Sequence, residues 1–236
     1  MKLSVIIPVY NEVKTINEIV KKVLEVNVKY KEIIIVDDHS NDGTDKIIEK
    51  FKENNLIKII RHEKNMGKGA AIITAIPLLT GDYVIIQDAD LEYDPKDYVK
   101  FMNLLNINKD SKVLYGSRVL GRKKMEKKFA VVFRIFANFI LTKLSNFLNR
   151  QKLTDAHTCY KFMDINTIKT LKLSHRDFSI CPEITTKLSR LNYKITEVPI
   201  GYNGRSYSDG KKIKFKDAIL ALYTLVKFKF FWQNKN

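Results

Sequence analysis

The sequence predicts an α/β protein in which helices cover both faces of a sheet. Apolar runs at residues 3–8, 33–36 and 57–60 have the length and composition of buried strands. Between them, residues 16–24 carry apolar side chains at helical spacing, and residues 44–52 follow a turn that is typical of a helix start. A chain that alternates strand and helix in this way is typical of a doubly wound sheet.

The remainder of the chain continues this alternation with longer helices. We predict further strands at residues 83–86, 113–116 and 193–200, and further helices at residues 65–76, 96–105, 129–148, 182–191 and 217–230. Pro77 ends the first of these helices, because a proline cannot continue the helical hydrogen-bond ladder. A chain of 236 residues is long enough to bury a sizeable core.

Composition and charge exclude some classes of protein. Hydrophobic residues make up 45% of the chain, which excludes a disordered protein. Cys159 and Cys181 are too few for a disulfide framework, and no signal-like segment precedes the first strand, so we expect a reducing cytoplasm. The formal net charge of +16 predicts an anionic partner: nucleic acid, an anionic membrane or a phosphorylated substrate. A genome biased towards lysine would explain part of this excess.

Two carboxylates directly follow the strand predicted at residues 83–86. Asp88 and Asp90, here called the acidic motif, lie where that strand leaves the sheet at its carboxyl end, and Glu92 follows. An isolated Asp-x-Asp most often starts a turn. Here the apolar run before it, and a second acidic pair after residue 36, favour a site for a hard divalent cation that also binds substrate phosphates.

The motifs of two large nucleotide-binding classes are absent. The first strand leads into Pro8-Val-Tyr-Asn rather than Gly-x-Gly-x-x-Gly, so a dinucleotide-binding domain is not expected. Gly67-Lys68-Gly69 lacks the remaining residues of a P-loop. Two interpretations of these glycines stay open: a helix start whose backbone amides bind an anion, or glycines that permit tight packing.

Basic residues are expected at the same edge of the sheet as the acidic motif. Arg118 follows the strand predicted at residues 113–116, and we expect it to bind a substrate phosphate although a lone arginine is more often a solvated surface residue. Residues 203–212 form a polar, glycine-containing loop, a type of segment that often carries function. Its Arg205 and Lys211 are expected to close over a diphosphate.

The helix predicted at residues 129–148 is apolar but carries a polar stripe. Its polar side chains recur every three to four positions: Arg134, Asn138, Thr142, Ser145 and Asn149. This stripe argues against a membrane-spanning helix. A basic cluster at residues 122–128 precedes it, so we expect the helix either to lie in a membrane interface or to pack on the sheet as a core helix. The final helix, with Trp232 at its end, is suited to the same interface.

Residues 153–163 mix polar and aromatic side chains without a clean period. We predict that this segment lines a pocket. Within it, His157 is expected to be structural and Cys159 to be a small buried residue, because no His-Asp constellation suited to nucleophilic chemistry accompanies the thiol.

Four motifs follow one another along the chain: Val5-Ile-Ile-Pro-Val-Tyr-Asn-Glu, Val36-Asp-Asp-His-Ser-Asn-Asp-Gly-Thr, Asn65-Met-Gly-Lys-Gly and Asp88-Ala-Asp-Leu-Glu-Tyr-Asp-Pro. In this order they resemble the inverting family 2 glycosyltransferases of the GT-A fold. More narrowly, the chain is similar to the dolichyl-phosphate mannose synthase and polyprenyl-phosphate glucose synthase branch. The likeness continues through Gly116-Ser-Arg, Thr154-Asp and the segment from Val198 to Lys211, and so covers nearly the whole chain.

The resemblance implies a single GT-A domain over residues 1–236, with a mixed, mostly parallel sheet flanked by helices and with C-terminal interface helices. Residues 1–118 would form the nucleotide-sugar-binding half, and residues 119–236 the acceptor-binding half with its amphipathic helices. The implied reaction is metal-dependent, inverting transfer of a hexose, mannose or glucose, from GDP-mannose or UDP-glucose to a dolichyl or undecaprenyl phosphate. Many relatives carry C-terminal transmembrane helices, which we do not predict here. We therefore expect a cytoplasmic protein that is peripheral on the inner face of the membrane.

The resemblance also implies roles for individual residues. Those expected at the nucleotide sugar are Pro8, Tyr10, Glu12, Val36, Asp38, Lys68, Asp88, Ala89, Asp90, Arg205 and Lys211. The expected ligands of Mg2+ or Mn2+ are Asp88, Asp90 and Glu92. Asp90, Arg118, Arg205 and Lys211 would act in catalysis. Arg118 and Arg134 would bind the acceptor phosphate.

Two alternatives to this function stay open. A saccharide or protein hydroxyl acceptor would need a general base, for which Asp155 and Glu183 are the candidates, whereas a phosphate is already ionised near neutral pH. A nucleic-acid-binding domain would explain the charge of +16 but not the acidic motif, and no nucleic-acid-binding motif is recognisable, so we expect no nucleic-acid partner. The sequence predicts no oligomeric state.

Overall fold

A computed structural model of the protein describes residues 1–108, 111–122, 129–205 and 215–232, and for residues 129–134 and 215–218 it describes the backbone alone. In chain order the strands of the described residues are β1 (Leu3–Val9), β2 (Lys31–Asp37), β3 (Ile57–Arg61), β4 (Tyr83–Ile86), β5 (Val113–Ser117), β6 (Lys161–Asp164) and β7 (Thr196–Pro199). They form one seven-stranded sheet in the order β3-β2-β1-β4-β6-β5-β7. Strand β6 runs antiparallel to β4 and β5, and the other neighbouring pairs are parallel. The predicted mixed, mostly parallel sheet is confirmed.

Helices cover both faces of this sheet. In chain order they are α1 (Ile16–Glu25), α2 (Thr44–Glu49), α3 (Lys68–Ala75), α4 (Tyr98–Ile107), α5 (Phe129–Asn149), α6 (Ile165–Thr170), α7 (Ile180–Arg190) and α8 (Phe215–Phe231). Because side chains alternate along a strand, Val5 and Ile7 of β1 join the core that includes α1 and α4, whereas Ile6 joins the core that includes α3 and α7. The sheet therefore lies between two packed layers, which fix the position of the edge formed by the carboxyl ends of its parallel strands.

Strand β6 and helix α6 were not predicted from the sequence. Lys161 begins β6 and interrupts its apolar pattern, yet its side chain is fully buried. Its Nζ donates to the Ala156 carbonyl at 3.1 Å and lies 3.8 Å from the centre of the Tyr115 ring. A local carbonyl and an aromatic face thus replace water around this lysine.

The polar stripe of α5 faces the protein. Thr142, Ser145 and Asn149 are at most 2% exposed, and Asn149 Nδ2 donates to Thr186 Oγ1 on α7 at 3.2 Å. The opposite side of α5 and the side chains of α8, which packs beside it, present an exposed apolar surface. We call this the apolar surface; it comprises Phe136, Phe139, Ile140 and Phe147 of α5 with Ile219, Tyr223, Phe230 and Phe231 of α8. In the part of the chain that the structure describes, none of the helices combines the length and hydrophobicity required to cross a bilayer.

Candidate functional site

The carboxyl ends of the parallel strands β1, β2 and β4 meet at one edge of the sheet, and the loops that follow them carry the sequence motifs. Each of these loops contains a non-glycine residue in the left-handed conformation: Asn11 with φ of 50°, His39 with 66° and Leu91 with 62°. Such conformations cost free energy and cluster at functional sites. The sharp turns keep Asp38 and the acidic motif at the same edge.

Asp38 fixes the segment that leads into α3. Its Oδ1 accepts the Met66 amide at 2.8 Å and its Oδ2 accepts the Gly67 amide at 2.7 Å. His62 Nδ1 lies 2.7 Å from Oδ1, and His62 Nε2 lies 2.9 Å from Thr74 Oγ1 on α3. Asp38 is 2% exposed. Its prediction as a nucleoside ligand stays a prediction.

Both interpretations of the Gly-Lys-Gly segment describe part of the structure. The anion at its backbone amides is the carboxylate of Asp38 itself. The glycines are also required by packing: a Cβ at Gly67, where φ is +95°, would lie 2.4 Å from the Arg176 carbonyl oxygen, and one at Gly69 would lie 2.2 Å from that of His175. Residues larger than glycine would displace α3 from its neighbour.

Lys68 neutralises the first carboxylate of the acidic motif. Its Nζ lies 2.5 Å from Asp88 Oδ1 and 3.1 Å from Cys159 Sγ. Burial opposes ionisation of Asp88, but the charge of Lys68 outweighs it and holds the pKa of Asp88 below its usual range. Cys159 is half-buried beside this ion pair, rather than simply buried as predicted.

Asp90 differs from Asp88 because other carboxylates surround it. Burial, followed by repulsion from Asp88 and Glu92, raises the pKa of Asp90 to about 7, although Arg205 Nη2 lies 3.1 Å from its Oδ2. The described residues contain no cluster of three side chains able to hold a metal ion by themselves. A hard divalent cation that takes its other ligands from a diphosphate fits these carboxylate oxygens and would relieve their repulsion.

Arg205 connects three acidic residues. Its two terminal nitrogens donate to the Glu12 carboxylate at 3.0 Å each, in addition to the contact with Asp90. Its backbone amide donates to Glu92 Oε1 at 2.7 Å, and the Tyr202 hydroxyl donates to Glu92 Oε2 at 2.8 Å. The Glu92 carboxylate therefore anchors the segment before Arg205, and its role as a metal ligand stays a prediction. Lys211 lies outside the described residues.

Arg118 is held by Asp155. Its Nε and Nη2 donate to the two oxygens of that carboxylate at 2.6 and 2.8 Å. Asp155 is fully buried, and although burial alone would raise its pKa, Arg118 and then the Asn138 amide lower it to about 2. Of the residues that the structure describes, none accepts a hydrogen bond from Arg118 Nη1. Arg134 belongs to α5, but its side chain lies outside the described part.

The two candidate bases for a hydroxyl acceptor are both occupied. Glu183 is fully buried, and its Oε1 accepts from the Ser174 backbone and from Lys187 Nζ, while its Oε2 accepts from the His175 backbone. Both oxygens of Asp155 accept from the guanidinium of the arginine that it holds. Neither carboxylate is placed as an accessible proton acceptor.

The side chains of the smaller predicted donor-site residues point into the fold. Pro8 of β1 pairs in register with Val36 of β2, and Val36 and Ala89 are buried. Their contact with a nucleotide would therefore use the backbone. Tyr10 is half-buried at the edge. Burial lowers the pKa of His157 to about 4, so this histidine is neutral near pH 7, as expected for a structural residue.

Sequence reasoning missed a residue beneath the acidic motif. Gln87 is fully buried, and its Oε1 accepts from the hydroxyls of Tyr98 and Tyr160 at 2.5 Å each. Its Nε2 donates to the Asp88 carbonyl at 2.9 Å. Gln87 thus fixes the backbone from which the acidic motif starts, and its only signal in the sequence is its position before that motif.

Comparison with known proteins agrees with this arrangement. The profile of the family described as glycosyl transferase family 2 matches residues 4–171. The UDP-N-acetylglucosamine–dolichyl-phosphate N-acetylglucosaminyltransferase of Methanococcus voltae is 30% identical over 247 residues, which covers 96% of each chain. The undecaprenyl-phosphate 4-deoxy-4-formamido-L-arabinose transferase of Salmonella choleraesuis (strain SC-B67) is 26% identical over 231 residues, covering 95% of this chain and 66% of that one.

Solved structures show the same fold. Glucosyl-3-phosphoglycerate synthase from Mycobacterium tuberculosis in complex with UDP has a TM-score of 0.74 at 16% identity, over 98% of this chain and 81% of that one. The same enzyme with Mn2+, UDP and phosphoglyceric acid has a TM-score of 0.71 at 15% identity, over 98% and 80% of the two chains. The predicted GT-A fold is confirmed, and the chain is a glycosyltransferase that belongs to glycosyl transferase family 2.

Proposed function

We propose that this glycosyltransferase moves a sugar from a nucleotide sugar to a polyprenyl phosphate, with Mg2+ or Mn2+ at the acidic motif. The observation that carries the proposal is the arrangement of Asp88 and Asp90 at one edge of the sheet, where Lys68 contacts the first carboxylate and Arg205 the second. Burial and the neighbouring carboxylates also raise the pKa of Asp90 to about 7. Such a site is short of positive charge until a cation arrives, and a diphosphate would supply the remaining oxygen ligands.

The donor is a nucleotide-activated sugar whose identity needs a direct assay. Mannose and glucose are the sugars predicted from the sequence. The two relatives described above add N-acetylglucosamine and 4-deoxy-4-formamido-L-arabinose to the sugars to be tested. UDP accompanies the structural neighbour and makes uridine nucleotides the first donors to try.

In the reaction, negative charge grows on the departing diphosphate as the bond to the sugar breaks. A bound divalent cation supplies electrostatic stabilisation of that charge. Asp88, oriented by Lys68 and by the Gln87 amide, and Asp90 would hold that cation. The Arg205 guanidinium, which lies 3.1 Å from Asp90, would contact the same diphosphate.

The acceptor side favours a phosphate over a hydroxyl. A phosphate attacks without a base, whereas a hydroxyl must lose a proton. Asp155 is a weak base, with a pKa of about 2, and both its oxygens are engaged by Arg118. Because no described residue accepts from Arg118 Nη1, this nitrogen would take an acceptor oxygen.

We further propose that the enzyme works as a peripheral protein on the cytoplasmic face of a membrane. In α5 the side chains of Thr142, Ser145 and Asn149 are buried, while Phe139 and Phe147 are 52% and 81% exposed. Exposed aromatic side chains on adjacent helices suit the interfacial region of a bilayer. Basic residues at 122–128 and 211–216 in the sequence would add attraction to anionic lipids.

The direct test measures sugar transfer to undecaprenyl phosphate in vesicles. GDP-mannose, UDP-glucose and UDP-N-acetylglucosamine are offered in turn, with Mg2+ or Mn2+ and with EDTA as the metal-free control. We expect transfer from one donor that EDTA abolishes and that Asp90→Ala reduces below detection. Unchanged transfer by Asp90→Ala would refute the assignment of the site. Transfer to a soluble hydroxyl acceptor, with the protein left in the supernatant after vesicle sedimentation, would support the alternative acceptor.

A further inference from the structure

Tyr202 contacts both sides of the proposed site: Glu92 on the donor side and Arg118 on the acceptor side. Its hydroxyl donates to Glu92 Oε2 at 2.8 Å, so its outer end is fixed to the loop that carries the acidic motif. Its ring faces Arg118, whose guanidinium carbon lies 5.1 Å from the ring centre. One aromatic side chain thus contacts both the donor side and the acceptor side of the site.

The ring is itself held in place. Tyr93 packs against it edge to face, with ring centres 5.3 Å apart, and the Asn203 amide that follows Tyr202 donates to the Glu92 carbonyl at 2.9 Å. Tyr202 is 37% exposed. The contacts with Tyr93 and the Glu92 backbone fix the ring beside Arg118.

Arg118 receives support from two directions. Asp155 binds its Nε and Nη2, which fixes the plane of the guanidinium from one edge. The Arg118 guanidinium also lies over the ring of Tyr202, at a distance typical of a cation–π contact. The guanidinium therefore contacts Asp155 along one edge and the Tyr202 ring through a second, separate contact.

We propose that Tyr202 is a positioning residue for the acceptor phosphate, acting through the contact of its ring with the Arg118 guanidinium. The proposal rests on the proposed function, because it takes Arg118 as the group that binds an isoprenyl phosphate. The ring, and not the hydroxyl, carries this effect, because Tyr93 and the backbone bond from Asn203 to Glu92 hold the ring in place without the hydroxyl.

Two substitutions separate the ring from the hydroxyl. Tyr202→Leu removes the aromatic face, and we expect it to weaken binding of farnesyl phosphate by about 3- to 10-fold, as for loss of a partly exposed cation–π contact. Tyr202→Phe keeps the face and is expected to change that binding by less than about twofold. Isothermal titration calorimetry with farnesyl phosphate measures both without donor or metal.

The matched control is Tyr30→Leu. Tyr30 is 56% exposed and carries a similar contact, with Lys29 Nζ 5.2 Å from its ring centre, away from the site. This variant should bind farnesyl phosphate like the parent protein. Circular dichroism and the melting temperature establish that each variant is folded.

Steady-state kinetics give the second readout. With undecaprenyl phosphate as acceptor, Tyr202→Leu should raise the KM for the acceptor while the KM for the nucleotide sugar stays within about twofold of the parent value. Equal losses in Tyr202→Phe and Tyr202→Leu would overturn the proposal, as would unchanged farnesyl phosphate binding in Tyr202→Leu. If the parent protein transfers no sugar to any lipid phosphate, the proposed function fails, whereas the binding comparison still decides the role of Tyr202.

Discussion

Asp90, which is half-buried, and Asp155, which is fully buried, lie at the same site, but the fold surrounds them with opposite kinds of charge. Around Asp155, Arg118 and Asn138 satisfy the carboxylate and lower its pKa to about 2. Around Asp90, burial and neighbouring carboxylates dominate and raise its pKa to about 7 despite Arg205. The comparison shows that the protein itself supplies the counter-charge of Asp155, whereas the charge of Asp90 is only partly compensated. Asp155 therefore has a structural role, and Asp90 is the carboxylate proposed to bind a further cation.

The largest expected effect comes from breaking the ion pair between Asp155 and Arg118. Asp155→Asn leaves Arg118 without its buried counter-ion, which we expect to destabilise the protein by about 3 kcal/mol, at the low end for a buried pair because the arginine is partly solvated. For a domain of this size that lowers the melting temperature by about 6–12 °C. Differential scanning calorimetry measures the shift.

Glu49→Gln provides the matched control, because it breaks an exposed ion pair with Lys52 whose Nζ–Oε1 distance is 2.8 Å. This control should lose less than about 0.5 kcal/mol. Similar losses in the two variants would contradict the assignment of Asp155 as a completed structural anion.

Removing the charge of Asp90 should reduce activity without lowering stability. Asp90→Asn keeps the size of the side chain but removes the charge that attracts the cation, and we expect about a 100-fold loss of transfer rate, equivalent to about 2.7 kcal/mol. Rates are measured over a series of Mn2+ concentrations. Asp94→Asn, at an exposed position in the same loop, should retain the parent rate. If Asp90→Asn lost stability but kept its activity, Asp90 would have a structural role and its proposed role in cation binding would be wrong.

The pH dependence of stability sharpens the contrast. The folded pKa of Asp90, about 7, lies above its ordinary value of about 3.9, so between these values the folded state retains a proton that the unfolded chain has released. This group therefore lowers the free energy of unfolding as pH rises from about 4 to about 7. Asp155 has the opposite sign: its contribution is present above about pH 4 and is lost as pH falls towards about 2.

In EDTA, the melting temperature of Asp90→Asn relative to the parent protein should consequently increase from pH 5 to pH 8. Differential scanning fluorimetry at four pH values across this range measures it. Parallel curves for the two proteins would show that Asp90 titrates normally.

The smallest expected effect concerns the apolar surface, whose side chains are exposed instead of packed in the core. Phe139→Ser and Phe230→Ser should each reduce partitioning onto vesicles of anionic phospholipid by about 3- to 10-fold, because each removes an aromatic ring from the contact. Their melting temperatures should not change. Ile107→Ser is the control, since Ile107 is 83% exposed at the end of α4, outside this surface. If both phenylalanine variants bound vesicles as strongly as the Ile107→Ser control, the proposed membrane contact at the apolar surface would be wrong.

The sequence could predict what depends on local pattern. Apolar runs identified β1, β2, β3 and β4, and the position of Asp88 and Asp90 after one of them placed the acidic motif at the sheet edge. Strand β6 was missed, because Lys161 interrupts its apolar pattern, and the sequence does not show that the Ala156 carbonyl and the Tyr115 ring accommodate this buried cation. The periodicity of α5 revealed a polar stripe, but periodicity alone does not state which side faces the core.

The parts of the site that escaped prediction are pairs distant in sequence. Arg118 and Asp155 were each noticed, yet nothing in the chain indicated that they bind each other. The contact of Tyr202 with Glu92 likewise joins residues that are 110 positions apart in the sequence. Such pairs depend on the order of strands across the sheet, which a single sequence does not specify.

The apolar surface has a consequence for the two arginines of the site. Arg118 lies shortly before α5 in the chain, and Arg205 lies shortly before α8. Asp155 holds the first arginine within the fold, and Glu12 holds the second. If the proposed membrane contact forms at α5 and α8, it would therefore set a constant height of both guanidinium groups above the lipid headgroups.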